Sequence, residues 1–80
     1  MFYVYILKST RLRKFYTGHT DSIKRRLAEH NSGKTNYSKR YRPWEVVYYE
    51  VFDSEKDAIK REKYFKSAAG RRWLKKFINK

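Results

Sequence analysis

Blocks of apolar residues occur twice in the first twenty positions and once in the middle of the chain, and each block has the length of a strand. Phe2 to Lys8 is aromatic and β-branched, which predicts a strand covered on both faces. Phe15 to His19 predicts a second, shorter strand, and the polar, basic stretch Ser9 to Lys14 joins the two as a hairpin. Asp21-Ser22 offers a helix N-cap and Asn31-Ser32-Gly33 a stop, so a helix is expected to run to Asn31. Ser32 to Arg42 has no apolar period and four positive charges, which places it in a surface loop ended by Pro43. Trp44 to Phe52 predicts the third strand. Asp53-Ser54 caps a second helix through about Ser67, and Ser67 to Gly70 separates it from a short final helix, Arg71 to Asn79. A parallel crossover does not fit in this space. The expected class is therefore α+β: a small three-stranded antiparallel sheet flanked by three helices, order β-β-α-β-α-α, in one domain spanning residues 1–80.

Both longer helices carry polar residues on the face that should be buried. Counted at i, i+3, i+4 and i+7, the inward stripe of the first is Ile23, Arg26, Leu27 and His30; on the second it includes Ala58, Ile59, Glu62 and Phe65. Arg26 and Glu62 can neutralise one another as a partly buried ion pair, although such a pair gains little over apolar residues of equal volume. His30 can be a helix-terminal histidine, favourable at the negative end of the helix dipole. Glu62 stands out because Lys60, Arg61, Lys63 and Lys66 surround it in sequence; its carboxylate should stay ionised and is able to hold a divalent cation. Tyr3 and Tyr5 share one face of the first strand, and Tyr16 lies on its hairpin partner. A buried tyrosine is most often plain core with a hydrogen-bonded hydroxyl, so position alone assigns these no chemistry.

Composition narrows the partner. The 80 residues hold 21 Lys and Arg against 8 Asp and Glu, a formal charge of +13. Chains this short bury only about 60% of their unfolded surface, and here eight Tyr, five Phe and two Trp supply the core. That aromatic content also separates the chain from disordered basic tails. Without Cys there is no disulfide framework, thiolate zinc site or cysteine nucleophile. The apolar run through Val4-Tyr5-Ile6-Leu7 is far short of the roughly 18 residues of a membrane span, and no signal peptide is recognisable, so a cytoplasmic protein with a polyanionic partner is expected. Residues 8–42 hold eleven Lys and Arg and two acids, whereas residues 43–80 hold ten and six; the charge is biased towards the half that contains Tyr16, Arg26 and His30.

Tyr3-Val4-Tyr5, followed ten residues on by Tyr16-Thr17-Gly18, resembles the paired motif of the GIY-YIG nuclease superfamily, and the next elements fit in order: Arg26, then His30 four residues on, then Glu62 within Arg61-Glu62-Lys63. The likeness runs from Phe2 to about Lys66. It looks most like the small stand-alone members grouped as the UPF0213 or excinuclease-subunit-C-like family, and Arg42-Pro43-Trp44-Glu45 also looks like structure-specific nucleases of the Slx type. The resemblance implies a metal-dependent DNA endonuclease of little sequence specificity, with a place in DNA repair or recombination. By the same resemblance Glu62 would hold one Mg²⁺ or Mn²⁺ ion as its sole protein ligand, with water and a phosphate oxygen completing the shell. Arg26 would contact the scissile phosphate, Tyr5 or Tyr16 would align or deprotonate the attacking water, and His30 would bond the phosphate or assist proton transfer. Three departures stand out: Tyr3 replaces the Gly of the family name, Thr17 replaces Ile, and His19 follows Gly18 where many members have Lys. An Asn often found beyond the second helix has no secure counterpart, since Asn79 lies too far along.

His19, Lys24, Arg25, Lys34, Lys39, Arg40 and Arg42 are the expected nucleic-acid contacts, with Tyr37 and Tyr41 interleaved among the last of them for base stacking. No helix-turn-helix, zinc finger or RNA-binding signature is present, so binding to duplex, branched or single-stranded DNA should be electrostatic and fall steeply with salt. Selectivity would then come from DNA shape or from a protein partner. The competing reading is a non-catalytic DNA- or RNA-binding module that keeps the fold. A membrane-surface role is disfavoured because neither helix pairs a wide apolar face with a basic one.

Overall fold

The computed structural model describes residues 1–34 and 36–78, the side chains of residues 36, 37 and 78 excepted. The stacking role expected of Tyr37 and the position of Asn79 therefore lie outside the described residues. Its elements are β1 (Phe2–Ser9), β2 (Phe15–Thr20), α1 (Ile23–Ser32), α2 (Asn36–Tyr41), β3 (Trp44–Phe52), α3 (Glu55–Lys66) and α4 (Ala68–Ile78). The sheet is antiparallel, in the order β2-β1-β3, so the first strand is the central one. Central placement explains its unbroken apolar sequence. Val4 and Ile6 pack on one side with Ala58 and Phe65 of α3, while Tyr5 and Leu7 pack on the other with Trp44, Ile23 and Leu27. All four residues of that run are at most 1% exposed. A strand with two buried faces cannot alternate apolar and polar residues.

The helix caps fall where the sequence places them. The Ser22 hydroxyl accepts the Arg25 N–H and that of Ser54 accepts the Asp57 N–H, each satisfying one of the donors that a helix start leaves unpaired. Gly33 follows α1, and its own N–H turns back to the carbonyls of Glu29 and His30. The junction of α3 and α4 is tighter than expected: α4 begins at Ala68, and Gly70 lies within its first turn rather than before it. A Cβ at Gly70 would come within 2.0 Å of the Tyr64 carbonyl oxygen, so only glycine lets α4 fold back this closely on α3.

One stretch differs from its expected state. Residues 36–41, read as part of a loop, form the short helix α2, which makes four helices among the described residues rather than three. Six residues are too few to display an apolar period, and its anchor is tertiary. The Trp44 indole N–H donates to the Ser38 carbonyl at 2.8 Å, and the Asn31 side chain bonds both backbone groups of Trp44, at 2.6 and 3.2 Å. Ser38, on the underside of α2, is fully buried. Among the described residues, no helix is long and apolar enough to cross a membrane.

Candidate active site

The two-residue period of the strands divides the candidate residues between the faces of the sheet. Tyr5 is paired with Gly18, and Leu7 with Tyr16, so Tyr5 and Tyr16 share the α1 face; their rings lie 6.2 Å apart. His19 is paired with Val4 and shares the α3 face. Gly18 separates the two groups. A Cβ there would meet the Tyr5 hydroxyl at 2.7 Å and the Tyr16 ring at 3.1 Å, so glycine at the end of Tyr16-Thr17-Gly18 is what lets the Tyr5 hydroxyl lie against the edge strand.

From α1, the inward stripe brings Arg26 and His30 to this cluster. His30 is fully buried, its ring centroid is 4.4 Å from that of Tyr16, and its Nε2 lies 3.4 Å from the Tyr5 hydroxyl. Its Nδ1 is buried and has no hydrogen-bond partner among the described residues. A lone buried donor or acceptor costs on the order of 1–3 kcal/mol, which marks the position as one not optimised for stability. Burial first, and the Arg26 charge second, push the imidazole below its ordinary pKa of 6.5, so it is neutral at physiological pH. Arg26 donates to the Glu29 carboxylate at 2.7 Å, and the nearby Tyr5 hydroxyl first and Glu29 second favour its charged form. Burial raises the Tyr5 phenol above its usual 10, against the opposing pull of Arg26.

Glu62 arrives from α3 on the other face. It does not pair with Arg26. Its carboxylate instead takes His19 Nδ1 on one oxygen and Lys66 Nζ, at 2.6 Å, on the other. Burial alone would raise its pKa; the bonds from Lys66 and His19 reverse that and hold it below the ordinary carboxylate value, so it is ionised at neutral pH. Its side chain keeps 16% exposure, and its charge is felt at the Tyr5 hydroxyl. An Arg26–Glu62 pair was one way to read the two polar stripes; each residue has a different partner because their helices cover opposite faces of the sheet.

Of the expected nucleic-acid contacts, Lys24, Arg25, Lys34, Lys39, Arg40 and Arg42 are all exposed, on α1, on α2 and beside them. Arg25 is partly occupied by Asp21. His19 is set apart from the others, bound to Glu62 and 3.7 Å from Glu55. A second group of cations was not singled out from the sequence: Arg13 and Lys14 of the hairpin loop with Arg71 and Lys75 of α4, gathered around one cavity. The spacing of Arg71 and Lys75, one helical turn apart, was the available signal; the acids elsewhere in the second half of the chain obscured it.

The chain belongs to the GIY-YIG family of nuclease domains: the family model described as the GIY-YIG catalytic domain matches residues 1–76. Within that family it is similar to UPF0213 proteins. Those of Streptococcus pyogenes serotypes M5 and M1 are each 46% identical over 65 residues, covering 80% of this chain and 70% of theirs. The solution NMR structure of a UPF0213 protein from Bacillus halodurans superposes with a TM-score of 0.56 at 32% identity, covering 98% of this chain and 86% of that one. The expected α+β architecture is thereby shown from two directions, by the strands and by the neighbour.

Proposed function

We propose that the chain is a metal-dependent DNA endonuclease whose active site is the cluster of Tyr5, Tyr16, Arg26 and His30 together with Glu62. The observation that carries this reading is the company of Glu62. An ionised carboxylate, bound by Lys66 and His19 on the α3 face, makes its charge felt at the Tyr5 hydroxyl, and that hydroxyl belongs to a cluster with a charged arginine, a neutral buried histidine carrying an unpartnered nitrogen, and Tyr16. Family membership supports it, because nucleases of this family generally use divalent metal ions.

The carboxylate of Glu62 is the kind of donor that a hard divalent ion takes. Among the described residues no group of three or more His, Cys, Asp or Glu side chains converges, which suits a hard cation that accepts one carboxylate and keeps water, and does not suit a zinc cage. Glu62 would hold Mg²⁺ or Mn²⁺, which when bound supplies Lewis-acid polarisation of the phosphate. Arg26 places a planar guanidinium where negative charge grows as water attacks phosphorus and the P–O bond breaks. Tyr16, half-buried, is the phenol able to meet a water molecule. Tyr5, only 1% exposed and shifted upwards, stays protonated and serves to position Arg26 and His30. His30, being neutral, can pass a proton through the Nε2 that faces the Tyr5 hydroxyl. For Glu62 to take an ion, His19 or Lys66 would have to give up the carboxylate oxygen it bonds.

A supercoiled plasmid incubated with Mg²⁺ or Mn²⁺ should be nicked by the parent chain, and Glu62→Gln should lower the rate by about 10³-fold, the scale of losing a principal charge-stabilising group. Equal nicking by the two proteins would end the proposal, and salt-sensitive DNA binding with no nicking by either protein with any divalent metal would put the non-catalytic binding module in its place.

A further inference from the structure

The cavity between the hairpin loop, β2 and the α3–α4 pair has a volume of about 770 Å³, within the roughly 300–1,000 Å³ span of ligand clefts. Five cations line it, Arg13, Lys14, Lys66, Arg71 and Lys75, and no carboxylate does. Among the described residues Arg13, Arg71 and Lys75 form no ion pair with the protein's own acids; the only lining cation that does is Lys66, through Glu62. Bringing five positive charges around one hollow costs folding energy through mutual repulsion, a cost that an anionic occupant removes. The lining is also partly apolar: Phe15 and Leu74, both half-buried, present apolar surface over the buried Phe65. Phosphate alone has no use for such a surface. A duplex hides the flat faces of its bases, whereas an unpaired strand offers both phosphates for the cations and base faces for the apolar surface.

We infer that this groove seats an unpaired stretch of DNA and leads it to the candidate active site. This inference rests on the endonuclease reading only for the word DNA and for the direction of the strand. One residue joins the groove to the site directly: Lys66 lines the groove and bonds Glu62, while Tyr16, also at the groove's edge on β2, turns its ring to His30 on the other face of the sheet. A strand lying along α4 therefore comes to the Glu62 carboxylate from the α3 face, while the cations of α1 and α2 stand on the other side of the sheet.

The test is binding without cleavage. Fluorescence anisotropy in EDTA compares a labelled single-stranded oligonucleotide with a blunt duplex of the same sequence, for the parent and for Arg71→Gln/Lys75→Gln. Both positions are exposed and glutamine suits a helix, so the variant should melt with the parent. The single strand should lose affinity at least tenfold, and its log–log salt slope should become shallower by about 1.4, two phosphate contacts at roughly 0.7 each. The duplex should lose less than threefold. An unchanged single-strand affinity, an equal loss for both substrates, or tighter binding of RNA of the same sequence overturns the inference. Failure of the endonuclease reading looks different: no metal-dependent nicking by the parent, with the strand preference and its loss in the variant intact.

Discussion

Arg26 and Arg61 each hold a glutamate, on opposite sides of one small sheet, and their surroundings have almost nothing in common. Arg61 gives two hydrogen bonds, of 2.7 and 3.1 Å, to Glu50 on β3, and its guanidinium lies over Phe65, Tyr64 and Trp73 at 4.4, 4.8 and 5.6 Å from their ring centres. Tyr48 completes the group by donating its hydroxyl to Glu50, and burial together with that carboxylate pushes its phenol up to about 12. Every charged or polar group there has a partner and a covered face. Among the described residues Arg26 bonds a glutamate of its own helix, near the Tyr5 hydroxyl and a histidine whose buried Nδ1 has no partner. In the first, closed arrangement the guanidinium and the carboxylate are engaged by one another, by Tyr48 and by three rings. The second, open one leaves one buried nitrogen without a hydrogen-bond partner among the described residues, the feature that sets the proposed site apart.

The sharpest way to break this contrast is to truncate both arginines and follow activity and stability together. Arg26→Ala should reduce metal-dependent DNA cleavage by about 10²- to 10³-fold while changing the unfolding free energy by less than ~1 kcal/mol, since its glutamate partner is partly exposed and local. Arg61→Ala should do the reverse: a loss of roughly 2–3 kcal/mol in urea unfolding, from the charged bonds and the stacking, with cleavage per folded molecule near that of the parent. If Arg61→Ala proves the more damaging to catalysis, the closed cluster is part of the site and the comparison fails.

Much of this was legible in the chain, and the reasons differ from part to part. The strands, the two capped helices and the polar interruptions of their stripes follow from local patterns that tertiary structure reinforces: Ser22 and Ser54 cap as expected, and Arg26, His30 and Glu62 do turn inwards. The helix α2 was not legible because Trp44, Asn31 and Ser38, which hold it, meet only in three dimensions. For the same reason the sequence left Arg26 and Glu62 open as a pair. Which face of the sheet a helix covers is a matter of topology, and no spacing along one helix records it. The α4 cations were hidden by net charge, a quantity that averages over faces.

The two tyrosines offer a finer cut within the open cluster. Tyr16→Phe should slow cleavage by about 10²-fold, the lower range for losing a proton-transfer group, without moving the melting temperature. Tyr5→Phe should slow it less, about tenfold, because the hydroxyl positions Arg26 and His30 rather than meeting water. Its removal should also release the Nε2 of His30 from its neighbour at 3.4 Å. Rates measured at saturating DNA separate the two roles, and the reverse order of effects would exchange them.

The smallest effect expected is on stability and comes from His30 alone. Its pKa in the folded chain is lowered, so between that value and the unfolded value of about 6.5 the unfolded chain binds more protons than the folded one. The neutral ring therefore contributes stability that is fully present above about pH 6.5 and is lost as pH falls through the folded pKa, with a slope of at most ~1.4 kcal/mol per pH unit. Glu29, Glu50 and Glu62, all lowered from 4.5, lose their contributions in the same direction but only in stronger acid, so the two windows are separable. Urea unfolding of the parent and of His30→Gln between pH 5 and 8 should give curves that run parallel above 6.5 and converge below it. Parallel curves over the whole range would mean that the ring is not held neutral by its burial, and the open cluster would lose the feature that most distinguishes it from the closed one around Arg61.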